Sequence, residues 1–177
     1  GAMQFCVYGG VAALSDDARL LLDGAADKLA RELGVGHLEY RNLAAAHPGD
    51  PAWHTKELYV TFRKAISGDD EENLNAIPRK QRAMVRKGIK LGLVGEVDDN
   101  VERMFEAYAS SVHRLGTPVF PKKYFALLKE TFGDECEVRV ITQNGVLVAA
   151  VLSFYWRDEV VHYYGGGMPI ARDVAGN

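Results

Sequence analysis

Apolar and polar positions along the chain follow two rhythms, and their order predicts an α/β protein. After Ser15, the residues Ala18, Leu21, Leu22, Ala25, Ala26, Leu29 and Leu33 recur at helical spacing. Ser15 is placed to cap that helix, Asp16 and Asp17 sit in its favourable first turn, and Gly34 closes it. Residues 37–41 and 57–64 alternate instead. In the second of these, Leu58, Val60 and Phe62 stand against Tyr59, Thr61 and Arg63, which predicts a half-buried strand. Residues 44–56, around Pro48-Gly49-Asp50-Pro51, read as loop, and residues 4–8 predict a strand end running into Gly9-Gly10.

The pattern restarts after a brief apolar segment at 91–97. Val101, Met104, Phe105, Tyr108, Val112 and Leu115 predict a helix capped by Asp98 or Asp99 and ended by Gly116. Thr117-Pro118-Val119-Phe120-Pro121 forces an extended link, and Pro121 opens a second helix to about residue 132, stopped at Gly133. Three strands follow. Residues 136–142 turn at Asn144-Gly145 into 146–156, and Arg157-Asp158 returns the chain as 159–164. The middle strand is apolar on both faces and is expected to be covered on both sides.

Between the two halves lies a basic stretch. On a helix over 77–93, Arg79, Lys80, Arg82, Arg86, Lys87 and Lys90 share one arc, and Ile77, Met84, Val85, Ile89 and Leu91 share the other. Pro78 suits a first helical position, and Gly88 marks a weak point or an early stop. No acid lies between Ile77 and Leu93. Six cations on one short helix repel one another, so the face meets an anion, docks on the neighbouring acids, Asp69 to Glu72, Glu96, Asp98 and Asp99, or is a solvated surface. Arg79, Arg82 and Arg86, with Lys87, are the candidate anion-binding residues; a nucleotide-linked sugar or a local stretch of tRNA backbone would suit them.

Charge and composition narrow the rest. The formal net charge of −3 argues against nucleic-acid binding over the whole surface. Cys6 and Cys136 give neither a disulfide framework nor a metal site, and His47 and His54 form no ligand spacing, so no metal is expected and a cytoplasmic location is. The longest apolar run, 146–155, is too short to span a bilayer. Gly1-Ala2-Met3 reads as an expression scar. Hydrolase, NTPase and zinc-protease signatures are absent.

Tyr8-Gly9-Gly10 with Asp17 is echoed by Tyr164-Gly165-Gly166 with Asp173, at a constant offset of 156. The echo suggests the later part of one unit at 4–66, a connecting basic helix at 67–92, and the earlier part of a second unit at 93–177. The alternative is one composite domain over 4–177, its halves completing one sheet within a chain or by exchange in a homodimer.

The order strand, helix, helix, then three antiparallel strands ending in glycines resembles the first half of the GNAT acyltransferase fold. The stretches 77–90, Leu115-Gly116-Thr117-Pro118-Val119-Phe120-Pro121 and Val151-Leu152-Ser153-Phe154-Tyr155 are similar to FemAB-like proteins, in particular those found with exosortase/PEP-CTERM and exopolysaccharide systems. That resemblance implies parts of two tandem GNAT-like units. It further implies a transferase that forms an amide on a cell-wall (peptidoglycan) or exopolysaccharide precursor, with acyl-CoA or aminoacyl-tRNA as donor. A non-catalytic module for an anionic glycan or nucleotide-sugar is the alternative.

In the GNAT fold the turn after the fourth strand offers backbone amides to a donor's pyrophosphate, and by the resemblance that turn is Gly165, Gly166 and Gly167. The usual GNAT glutamine/arginine-glycine signature is absent there. His162 and Tyr164 are candidate proton-transfer residues at the strand end, and Tyr163 a substrate contact. Strict alternation turns Tyr163 away from the other two; an aromatic sheet face is the competing reading. His113 and Arg114, late in their helix, are explained by its carbonyl end.

Overall fold

The computed structural model describes residues 7–58 and 60–176, which form two compact units dividing between Ala65 and Ile66. The first is built on one helix, α1 (Asp16–Glu32). Ser15 Oγ accepts from the Ala18 N–H at 3.2 Å, and the chain leaves through Gly34 at φ +63°, as its capping residues predict.

The strands expected at 37–41 and 57–64 do not form among the described residues. Arg41 meets Gly9 in a single antiparallel bridge, and Leu58, Val60 and Phe62 remain 71, 77 and 91% exposed. Alternation can choose a face, but a strand also needs a neighbour to receive its backbone hydrogen bonds, and no neighbouring strand lies there among the described residues. The strand end expected at 4–8 lies mostly outside the described residues. The unit gathers instead around Asp23, which is 3.1 Å from Arg19 and 3.5 Å from His47. His47 and Tyr40 both stack on Trp53, and burial, then the nearby Asp23 carboxylate, pushes the Tyr40 hydroxyl up to about 12.

The second unit carries α2 (Asp70–Asn75), α3 (Arg79–Lys90), β1 (Leu93–Asp98), α4 (Glu102–Arg114), α5 (Lys122–Phe132), β2 (Cys136–Gln143), β3 (Val146–Trp156) and β4 (Glu159–Gly167). The four strands make one antiparallel sheet in the order β1-β2-β3-β4. Asn144 and Gly145 both take positive φ, 51° and 78°, the twist a two-residue hairpin needs. This is the mixed α/β class that the sequence predicts.

One sheet face is closed by α4 and α5. Met104, Ala107, Phe125, Val138, Val140 and Leu152 are fully buried there, with Tyr164 8% exposed. Phe125 meets Tyr108 and Tyr164 edge-on at 5.2 Å, and complete burial of a side chain of its size contributes about 1.5–3 kcal/mol. On the other face, Val148 and Ala149 are covered by Ala171 and Val174, from the chain that follows β4. Further along that face Ser153 is also buried, bonded to His162, whereas Tyr155 beyond it is 39% exposed.

Two local expectations change. Neither Asp98 nor Asp99 caps α4: its N-cap is Val101, which has no side-chain cap, and Asn100 just before it accepts from the Glu102 N–H through Oδ1 at 2.9 Å. Asp98 is buried at the end of β1 and engaged by Arg103 at 2.7 Å, with Glu96 bonding the same guanidinium. Gly88 does not stop α3. It is the buried residue of that helix, and a Cβ there would meet Leu93 Cδ1 at 3.0 Å and the Ala175 carbonyl at 3.2 Å, so glycine is what lets α3 sit down. Pro78 stands one place earlier than predicted, at the N-cap.

Candidate active site

The glycine run is not a turn. Gly165, Gly166 and Gly167 continue β4, opposite Val151, Ala150 and Ala149. A turn was expected because glycine is the usual turn residue; here the ladder with β3 outweighs that preference. Gly166 lies against α4: an added Cβ would come within 2.7 Å of the Ala107 carbonyl carbon and Tyr108 Cα. Helix and strand backbones therefore touch, a contact that small residues alone allow.

That approach brings the end of α4 onto the end of β4. The Gly167 N–H donates to Ser111 Oγ at 3.0 Å, and Arg114 Nη2 donates to the Gly167 carbonyl at 2.7 Å and to Ser111 Oγ at 3.1 Å. A cleft of about 280 Å³ opens there, lined by Ser111, Arg114, Leu115, Gly166, Gly167 and Arg172. Arg114 does more than complement a helix dipole, and neither Arg114 nor Arg172 is ion-paired among the described residues. Two guanidinium groups at a small cleft are suited to a phosphorylated ligand.

Further along β4 the register slips. Leu152 pairs with Tyr164, but Ser153 pairs with His162, so β4 carries an extra residue, Tyr163, at this step. Such a bulge bends a strand and re-aims its side chains. Strict alternation consequently fails: Tyr163 and Tyr164 both pack on the α4/α5 cluster, with ring centroids 5.0 Å apart, while exposed His162 bonds to Ser153. Ser153 Oγ lies 2.8 Å from His162 Nδ1, and Ser153 is buried. A hydroxyl holding one ring nitrogen fixes the imidazole and leaves Nε2 for other work.

Tyr164 has a different part. Its hydroxyl is 2.9 Å from that of Tyr124, and burial, reinforced by Tyr124, pushes its ionisation far upward. It stays protonated and serves the core.

The basic arc of α3 does not dock on acids. Arg82 donates to the Asn75 carbonyl and Oδ1, Lys87 donates to the Asp173 carbonyl at 2.9 Å, and no α3 cation pairs with a carboxylate among the described residues. Asp69 caps α2 instead, accepting from the Glu72 N–H at 2.7 Å. Lys87 and Gly88 set the helix beside residues 173–175, just beyond β4, with Arg79 and Arg86 exposed.

A family model for the acetyltransferase (GNAT) domain matches residues 74–176, more than half of the chain. The chain belongs to the GNAT family. The match takes in α3 as well as the sheet. No curated protein sequence matches the chain. GNAT membership brings acyl transfer and small-molecule substrates; GNAT domains generally use acyl-CoA as the donor. No helix among the described residues is long and apolar enough to cross a membrane, and no cluster of three metal-ligating side chains occurs among them. Sequence patterns gave Ser111, Ser153 and Arg172 no site role and read Arg114 only as a cation at its helix end, because strand register, the α4–β4 contact and the chain after β4 bring them to the candidate site.

Proposed function

We propose that this GNAT domain transfers an acyl group from acyl-CoA to an amine, with the donor laid along the outer edge of β4. The observation that carries the reading is the arrangement along that strand: the arginine-lined cleft at Gly167 and the Ser153–His162 pair are separated by five residues, roughly 16 Å at 3.3 Å per residue. β4 is the edge strand of the sheet among the described residues.

Arg114 and Arg172 bind and neutralise the donor phosphates. His162 Nε2 takes the proton from the acceptor amine as its nitrogen attacks the donor carbonyl, and Ser153 holds the ring for that transfer. The C–N bond forms, the C–S bond breaks, and CoA leaves as the thiol once it is protonated. No covalent enzyme intermediate is needed.

The acceptor we favour is an anionic cell-wall or exopolysaccharide precursor, handled in the cytoplasm by a FemAB-like transferase. The unpaired cations of α3, set beside the chain that leaves β4, support an anionic acceptor. They also support a second donor reading, aminoacyl-tRNA, whose backbone phosphates would lie along the same arc. Residues 4–66 would then represent the later part of a preceding GNAT-like unit, supported by the repeated Tyr-Gly-Gly at residues 8–10 and 164–166.

Mass spectrometry of amine acceptors incubated with the full chain and acetyl-CoA tests the reading. A new amide that requires both donor and His162 supports it; binding of anionic glycan with no donor dependence would instead make the protein a non-catalytic module.

A further inference from the structure

The first unit holds a cleft of its own, outside the residues 74–176 that match the GNAT family. It has a volume of about 480 Å³ and opens between α1 and the chain at 42–48. Three consecutive alanines, Ala44 to Ala46, line it together with Val11 and Pro48, and its polar side chains are those of Arg19, Asp23 and Asn42.

Those three polar groups have bonding capacity to spare. Arg19 Nη1 donates to Asp23 Oδ2 at 3.1 Å, but its Nη2 donates to nothing among the described residues, and 32% of the side chain is exposed. The Asn42 amide nitrogen also lacks an acceptor among them; its Oδ1 rests against Gly10, in space that any Cβ there would fill, so glycine at that position gives Asn42 its place on the cleft. Asp23 is buried, with more donors around it than one ion pair needs. His47 Nε2 is 3.5 Å away and the Tyr40 hydroxyl is also beside it, yet both atoms are buried with no completed hydrogen bond. Buried polar atoms short of a partner are costly, and a site that keeps them is one that a ligand or an ordered water completes.

We propose that this cleft binds a small zwitterion, a free α-amino acid, with its ammonium group on Asp23 and its carboxylate on Arg19 and Asn42. An amino acid carries its two charges on one carbon, so it can lie across the Arg19–Asp23 pair with each charge against its opposite. His47 and Tyr40 then hold the Asp23 carboxylate while Arg19 turns its free nitrogen to the ligand. An apolar ligand side chain rests on the wall at Ala44 to Ala46, where the small residues leave it room. A ligand that is only anionic meets the Asp23 charge, and one that is only cationic meets Arg19, so the pair selects against both. The inference stands apart from the acyl-CoA reading, which concerns the second unit.

Calorimetric titration of the full chain with L-leucine, N-acetyl-L-leucine and L-leucinamide tests this, because the second probe lacks the ammonium group and the third the carboxylate. L-leucine should bind saturably, and each of the other two about tenfold or more weaker. Ala45→Phe, at an exposed position on the wall, should abolish L-leucine binding while the chain stays folded by thermal denaturation. Should that variant fail to fold, Asn42→Ala reads the same site and should weaken L-leucine about threefold to tenfold. No saturable binding of L-leucine overturns the proposal. Equal binding of either capped probe overturns the zwitterion assignment, and undiminished binding in a folded Ala45→Phe or Asn42→Ala chain overturns the placement in this cleft.

Discussion

Ser153 Oγ sits 2.8 Å from His162 Nδ1, and the pair exists because β4 carries one more residue than β3 at that point. The bulge puts His162 opposite Ser153 and sends Tyr163 and Tyr164 together into the helix-covered core. Replacing His162 with glutamine should lower kcat for amide formation by about 10²–10⁴ while leaving KM for acetyl-CoA unchanged. Ser153→Ala should lower kcat less, since the imidazole remains but loses its tether. Steady-state kinetics check both; full activity in His162→Gln would remove the imidazole from the reaction.

Gly166→Ala should destabilise the protein, whereas Gly165→Ala should not. The first forces a methyl group to within 2.7 Å of the α4 backbone; the second makes only ordinary contacts. Overpacking of this kind costs about 1–3 kcal/mol, which thermal melts of the two variants beside the parent would resolve.

Tyr164 makes stability fall in alkali. Burial, then its bond to Tyr124, raises its ionisation in the folded protein above the ordinary tyrosine value of 10.0, and burial raises Tyr108 in the same direction. Below about pH 10 both folded and unfolded chains keep these protons, so the stabilisation is fully present there. Above it the unfolded chain releases protons the folded one retains, and the unfolding free energy should drop by up to about 1.4 kcal/mol per pH unit for each such tyrosine. Denaturant melts from pH 8 to about 11 should show that decline, and Tyr164→Phe should flatten it.

The basic arc of α3 has its own signature. Arg79→Ala or Arg86→Ala should weaken binding of UDP-N-acetylglucosamine by roughly 1.5–3 kcal/mol if the contact is direct, with the loss shrinking as salt rises. Neither side chain has a partner to strand among the described residues, so the melting temperature should hold. Equal affinity in both variants would make the arc a solvated surface.

Features decided within a few residues were legible in the sequence. Ser15, Gly34, Asn144-Gly145 and Gly133 mark their boundaries through local dihedrals and caps, and the structure follows them. Features decided by distant partners were not. Residues 57–64 alternate correctly yet find no ladder, and the Gly165–Gly167 run reads as a turn until β3 is beside it. Asp98 has the chemistry of a cap, but Arg103 claims it and α4 begins at Val101 with no side-chain cap. The candidate site suffered most from this, since Ser153 meets His162 through a register slip and Arg114 meets Gly167 through the contact of α4 with β4.

The central claim, an acyl-CoA donor on β4 with its phosphates in the Arg114–Arg172 cleft, is tested most directly by calorimetric titration of the full chain and its Arg172→Ala variant with acetyl-CoA. The account predicts one donor per chain and a loss of about 1.5–3 kcal/mol of binding in the variant, carried by the phosphate contact. Saturable binding that is indifferent to Arg172, or no binding at all, would contradict it.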